Sequence, residues 1–356
     1  MRILQLIDSL EVGGAERMAV NYANALHGKI AFSALCVTRA EGDLKQLIHE
    51  GVSYLFLNKK STLDFKAMLR LRRFVQRNKI EIIQAHGSSY FVACLVKMTT
   101  PNLKLIWHDH YGNSEFLDQR NTRFLKPLSR FFDGVISVND TLRLWAKDVL
   151  HIKKAFYIKN FIADPLPLDS NFIPEGIKGK RIVCVANLRP QKNHLLLLKS
   201  FKKVLETDTE FTLHLFGNSE DTLCANAIFK AIKDLQLTGS VFYYGTHLGI
   251  SSILPYFDIG VLASDSEGLP LALLEYGQAG LAVITTDVGQ CTAVIDGAGI
   301  CVPANNEPEL TAAILGYGSH SIQAKKQALS FQNKIEKHYT SSAILPQVMA
   351  IYDQIT

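Results

Sequence analysis

An α/β chain built from two doubly wound parallel sheets that face each other across a cleft accounts for this sequence. Three observations carry that reading. Short β-type runs alternate with helical stretches along most of the chain. The alternation breaks once, at the proline-rich stretch 164–174, and then resumes. At 356 residues the chain is longer than one hydrophobic core usually organises, and two domains follow.

In order, Ile3–Ile7, Ala31–Val37, Tyr54–Leu57, Ile80–Gln84, Leu103–Trp107, Gly134–Val138 and Ala155–Ile158 read as strands. The helical stretches Glu16–Leu26, Asp64–Asn78, Tyr90–Met98 and Thr141–Val149 lie between them, a βαβ rhythm that calls for a parallel sheet. The first strand is too short an apolar run for a secretory leader. After the prolines, strands restart at Arg181–Val185, Phe211–Phe216, Val241–Tyr244, Ile259–Ala263 and Leu281–Thr285. Helices fit at Leu195–Leu205, Thr222–Leu235, Pro270–Gln278 and Pro308–Leu315. The expected division is 1–163, a linker at 164–180, 181–335, and a C-terminal helix at 336–356 free to pack back on the first domain. Pro346 marks that helix's start or a kink.

Hydrophobic residues make up 47% and charged residues 20%, which excludes a disordered chain. No run reaches the roughly 18–20 uncharged apolar residues of a membrane span. The six cysteines form no C-x-x-C pair and mostly lie in apolar runs, so reduced buried thiols in a cytoplasmic protein are expected. The net charge of +5 is unevenly spread: residues 1–160 carry 24 Lys/Arg against 14 Asp/Glu, and the remainder carries 14 against 19. The basic half suits a phosphorylated substrate or an anionic surface. Interleaved aromatics and a recognised module are lacking, which argues against nucleic acid.

The stretch Ser264-Asp265-Ser266-Glu267-Gly268-Leu269-Pro270, running to Glu275, holds the most chemistry. A strand ends, a Gly-Leu-Pro turn follows, and a helix begins whose free amides can hold a phosphate. Glu267 and Glu275 are placed to accept hydrogen bonds from sugar and ribose hydroxyls. The plain alternative is one exposed loop glutamate and one on a helix face. Arg189 and Lys192, in Asn187-Leu188-Arg189-Pro190-Gln191-Lys192, put two cations at a strand-to-helix turn, suited to a diphosphate or simply to solvent. Gly13 and Gly14 after the first strand permit close backbone approach, or make a turn. His108-Asp109-His110 follows the fifth strand. A metal reading of those residues finds no third ligand at a spacing that closes the site, so no metal is expected. Lys66, Arg70, Arg73 and Arg77 line one face of a helix, either a solvated stripe or a contact for anionic lipid.

Glu267-x7-Glu275, with Ala279-Gly280-Leu281-Ala282-Val283-Ile284-Thr285-Thr286 behind it, resembles the signature of retaining GT-B glycosyltransferases of the family 4 (group 1) type. Gly13-Gly14-Ala15-Glu16-Arg17, Asp133-Gly134-Val135-Ile136-Ser137-Val138 and the turn and strand of 294–303 are similar to further family segments, in the same order. The resemblance implies two Rossmann-like domains facing a cleft, the acceptor on the first and the nucleotide sugar on the second. It implies that Glu267 contacts donor-sugar hydroxyls, that Glu275 binds the ribose, and that amides around Gly268 and Leu269 lie near the diphosphate. It further implies a histidine beside the donor sugar; strand register favours His108, with His110 as the alternative. The family's arginine falls where this chain has Asn187, leaving Arg189 to act from a shifted position beside Lys192.

The expected function is retaining transfer of a sugar, a hexosyl unit, from a UDP- or GDP-sugar to an acceptor hydroxyl in bacterial surface polysaccharide or glycan biosynthesis. No cofactor or metal is needed. The acceptor is expected to be a glycan or lipid-linked, and the enzyme cytoplasmic, able to touch the inner membrane face through its basic half. Alternatives on the same fold are a sugar phosphorylase, a nucleotide-sugar epimerase, or a non-catalytic nucleotide- or carbohydrate-binding subunit.

Overall fold

The computed structural model describes every residue except 113–116 and 320. The chain divides into two compact units, Met1–Ala163 together with Thr340–Thr356, and Asp164–Tyr339.

The first unit holds β1 (Arg2–Ser9), β2 (Phe32–Ala40), β3 (Ser53–Phe56), β4 (Ile82–His86), β5 (Lys104–Asp109), β6 (Gly134–Ser137) and β7 (Ala155–Tyr157). They form one sheet in the order β3-β2-β1-β4-β5-β6-β7, every pair parallel. Helices cover both faces, so the strands are near-continuous apolar runs; Ile3, Leu4 and Leu6 are fully buried. The second unit holds β8 (Arg181–Val185), β9 (Thr212–Phe216), β10 (Val241–Tyr243), β11 (Ile259–Leu262), β12 (Ala282–Thr286) and β13 (Ile300–Val302). Their order is β10-β9-β8-β11-β12-β13, again all parallel. In each sheet the order reverses beside the first strand, between β1 and β4 and between β8 and β11. A doubly wound sheet opens a crevice there, at the carboxyl ends of the strands.

Three expectations differ from the structure. Residues 164–180, read as a linker, belong to the second unit. The Asp169 amide donates to the Ser252 carbonyl (3.1 Å), and the Phe172 ring lies 5.6–6.2 Å from those of Phe216, Tyr244, Tyr256 and Phe257. The C-terminal helix joins the first unit as expected, but it begins at Ser341 and not at 336. Helix Ser321–His338 lies in the second; helix Ser341–Ile355, with Pro346 inside it, lies in the first and buries Ile351, Tyr352 and Ile355. Strands β4 and β5 run on through His86 and Asp109, past the last apolar residue, because backbone pairing tolerates buried polar side chains that find partners.

All six cysteines are free; Cys36, Cys94, Cys184 and Cys291 are buried, and Cys224 and Cys301 half-buried. Among the described residues no helix is long and apolar enough to cross a membrane.

Candidate active site

In the second unit, β8 and β11 are neighbours, and the loops leaving their carboxyl ends meet. After β8 the chain turns through Asn187, whose Oδ1 accepts from the Asn218 amide (3.0 Å), and reaches a short 3-10 turn, Pro190–Lys192. Asn193 then adopts a left-handed conformation (φ 46°), which asparagine tolerates better than most residues. Its side chain caps helix His194–Thr207 by accepting from the Leu196 amide (3.2 Å). The same side chain donates to Asp265 Oδ1 (2.8 Å) and Asn305 Oδ1 (2.7 Å), and the Asp265 amide donates to the Gln191 carbonyl (2.8 Å). The two loops are thus stitched together by side chains and backbone alike.

Glu267 sits inside that junction with 7% of its side chain exposed. Its Oε1 accepts from Lys192 Nζ (2.6 Å) and from Ser264 Oγ (2.6 Å). A carboxylate this buried needs such partners. Gly289 holds the loop from behind at φ 55°: a Cβ there would lie 2.0 Å from the Glu267 carbonyl oxygen. The Gln290 amide donates to the Gly268 carbonyl (3.0 Å). Helix Leu271–Gln278 starts just past Pro270, and Glu275 is half-buried on it. Tyr276, the next residue, is fully buried; its hydroxyl accepts from the Val185 amide (2.6 Å), fixing this helix to the end of β8. Arg189 is exposed, Gly268 half-buried and Leu269 buried. Beneath the site, burial pushes the Cys184 thiol up to about 12, so it stays protonated.

The first unit gathers a second polar cluster at its own order reversal. Gly13 precedes helix Gly14–Leu26 in extended backbone, and a Cβ on Gly14 would meet nothing within 4 Å. Neither glycine is demanded by backbone strain, and the open space beside Gly14 is compatible with an approaching ligand. His86 and His108 are register partners on β4 and β5, and both are fully buried. His86 pairs through Nδ1 with His110 Nε2 (2.9 Å) and through Nε2 with Gln5 Oε1 (2.7 Å). His108 Nδ1 meets Gln84 Nε2 (2.9 Å), and the Tyr352 hydroxyl donates to Gln84 Oε1. Tyr22 lies edge-on to His108, with ring centroids 5.3 Å apart. His110 is half-buried. Burial pushes His86 and His108 well below the usual histidine range, helped by their imidazole neighbours, and brings His110 down to about 3. All three are therefore neutral at physiological pH.

The structure joins Lys192, Glu267 and the 187–193 loop in one site, and it places His108 and His110 together in the other unit's cluster. Reading the sequence missed His86, Gln84 and Gln5. Their signal was available: Gln84 and His86 stand at alternate positions of an otherwise apolar strand, and so share a face. Arg120 was missed as well. It grips Asp109 with two hydrogen bonds of 2.7 Å.

Residues 179–318 match a protein-family model described as "Glycosyl transferases group 1", and residues 12–163 one described as "Glycosyltransferase Family 4". The chain is a group 1, family 4 glycosyltransferase. The transferase is 24% identical over 315 residues to the Escherichia coli O-antigen biosynthesis glycosyltransferase WbnH, spanning 86% of each chain. It is 22% identical over 308 residues to the Escherichia coli UDP-Gal:alpha-D-GlcNAc-diphosphoundecaprenol alpha-1,3-galactosyltransferase, spanning 78% of this chain and 77% of that one. Among solved structures, Anabaena Alr3699/HepE in complex with UDP and glucose superposes with a TM-score of 0.81 at 17% identity, covering 99% of both chains. The glycosyltransferase thus has the α/β fold of the GT-B enzymes.

Proposed function

We propose that the enzyme moves a hexosyl unit from a UDP- or GDP-sugar to a hydroxyl of a glycan or lipid-linked acceptor, with retention at the anomeric carbon, in surface polysaccharide assembly. The observation that carries this reading is the Lys192–Glu267–Ser264 cluster, seated where the order of the second sheet reverses. A departing nucleoside diphosphate gathers negative charge as the glycosidic bond breaks, and Lys192, Arg189 and the amides around Gly268 and Leu269 are available to meet it. Glu267, fixed by two donors through one oxygen, keeps its other oxygen for a sugar hydroxyl, which orients the anomeric carbon. No carboxylate is assigned as nucleophile; attack from the face of the leaving phosphate accounts for retention. Of the two histidines, His110 is the one we assign to the sugar, with His108 packed beneath it. Names of relatives that carry UDP-galactose and diphosphoundecaprenol support a nucleotide donor and a lipid-linked acceptor.

Glu275 is assigned to the ribose. Glu275→Ala is expected to weaken UDP affinity by about 10–100-fold, the loss of a hydrogen bond to a charged group. Isothermal titration of the full chain with UDP measures it, after a thermal-shift panel of nucleotide sugars has chosen the donor. Unchanged affinity removes the assignment.

We also propose peripheral contact with an anionic membrane on the cytoplasmic face. Helix Phe65–Arg77 exposes Lys66, Arg73 and Arg77, and beside them Phe65 (68% exposed) and Leu69 (48%). Each cation is worth about 1 kcal/mol near an anionic surface. The Lys66→Glu/Arg73→Glu variant is expected to lose co-flotation with vesicles containing phosphatidylglycerol, while the wild-type chain floats with them. Equal flotation of both sinks the proposal.

A further inference from the structure

We propose that His86, His108 and His110 form a binding site for a divalent transition-metal ion of the zinc type, held by three imidazole nitrogens inside the first unit. One nitrogen from each ring lies within 4.8 Å of the others. Two of them, His86 Nδ1 and His110 Nε2, are already 2.9 Å apart. Nitrogens bound about 2.0–2.1 Å from one tetrahedral zinc ion stand roughly 3.3–3.4 Å from each other, so ring rotations moving atoms on the order of 1 Å complete the set.

A second observation points to the same ligand. His108 is fully buried, and its Nε2 has no hydrogen-bond partner among the described residues. A buried nitrogen left without a partner is costly, and it belongs to a ring clustered with two further imidazoles. Two of the three remaining ring nitrogens have outer partners of the kind that metal-binding histidines use: His86 Nε2 meets Gln5 Oε1 (2.7 Å), and His108 Nδ1 meets the Gln84 side-chain amide (2.9 Å). An amide presents either end, so Gln84 serves as acceptor when His108 binds metal through Nε2, with the Tyr352 hydroxyl as its other partner. The all-nitrogen set favours zinc, nickel or copper over magnesium or calcium. The half-buried flank of His110 leaves a fourth position for water or a ligand oxygen. No step of sugar transfer is assigned to the ion; His110 is shared with the proposed donor site, so the test reads metal binding and not activity.

The test uses the full chain, stripped with a chelator and titrated with zinc chloride by calorimetry, then with cobalt(II) by visible absorption. Wild type is expected to take up one equivalent of zinc and to show the intense cobalt bands of a four-coordinate site. His108→Gln and His110→Gln should each weaken zinc binding by about 100-fold and abolish the bands. His110, being half-buried, provides the variant whose fold is least disturbed; circular dichroism checks both. The rings of His27 and His49 lie 4.6 Å apart and are the natural place for adventitious zinc. His49→Gln should therefore change nothing. Absence of stoichiometric binding, binding undiminished in His110→Gln, or binding lost in His49→Gln would each overturn the proposal, whatever the enzyme's activity.

Discussion

Lys192→Ala is expected to lower kcat by about 10²–10³-fold, the range found when one charge-stabilising donor is removed from an active site, or about 2.7–4 kcal/mol. Lys192 approaches the buried Glu267 carboxylate at 2.6 Å and keeps 22% of its side chain exposed, so it can serve Glu267 and an incoming phosphate together. The substitution removes both services. Lys192→Arg separates them, because it keeps a cation while changing its shape, and it should retain part of the activity. Steady-state rates with the identified donor decide the matter, read as kcat and KM separately. A drop in kcat with KM moving only a few-fold places Lys192 at the transition state. Turnover of Lys192→Ala close to wild type would remove Lys192 from the chemistry, and the Lys192–Glu267 pair would then be a structural clasp.

The largest loss of stability is expected at a residue far from that lysine in sequence. Arg120 makes two 2.7 Å hydrogen bonds to Asp109, with 9% of the arginine and none of the aspartate side chain exposed. Its guanidinium also lies 4.3 Å from the ring centroid of Tyr111 and 4.4 Å from that of Trp145. Arg120→Leu leaves Asp109 buried without its counter-charge. Breaking such a pair costs about 3–5 kcal/mol. At about 2–4 °C per kcal/mol for a domain of this size, the melting temperature should fall by roughly 6–20 °C. The Arg120→Leu/Asp109→Leu double variant should recover much of that fall, because the desolvated charge is gone. Differential scanning calorimetry checks both, and a shift below about 2 °C for the single variant contradicts the argument. Asp109 stands between His108 and His110 on the chain, so the same pair steadies the histidine cluster.

Strand and helix positions were legible because a parallel sheet covered on both faces needs unbroken apolar runs, and Ile3–Ile7 or Ile259–Ala263 have no other reading. The Glu267–Glu275 spacing and Lys192 were legible because a strand-to-helix turn concentrates its chemistry within a few residues. The pairing of Lys192 with Glu267 was not: 75 residues separate them, and only the adjacency of β8 and β11 brings them together. The pairing of Arg120 with Asp109 escaped notice because a loop arginine carries no periodic signal. The role of His86 emerges only across strands, because its partners His110 and Gln5 lie 24 and 81 residues away. His108, expected just past the fifth strand, lies within it and is wholly enclosed, whereas His110 beyond the strand end is half-buried.

The helix Ser341–Ile355 rests on the first unit, where the Tyr352 hydroxyl reaches Gln84 and a side chain added to Gly134 would strike Ile355. During synthesis the ribosome must therefore translate the whole of the second unit before it delivers the piece that closes the first. Folding from the amino end can nucleate the early sheet but leaves part of it uncovered until then. The two halves are consequently bound to a shared schedule, and a clone cut after Ala163 would yield a sheet lacking its last cover.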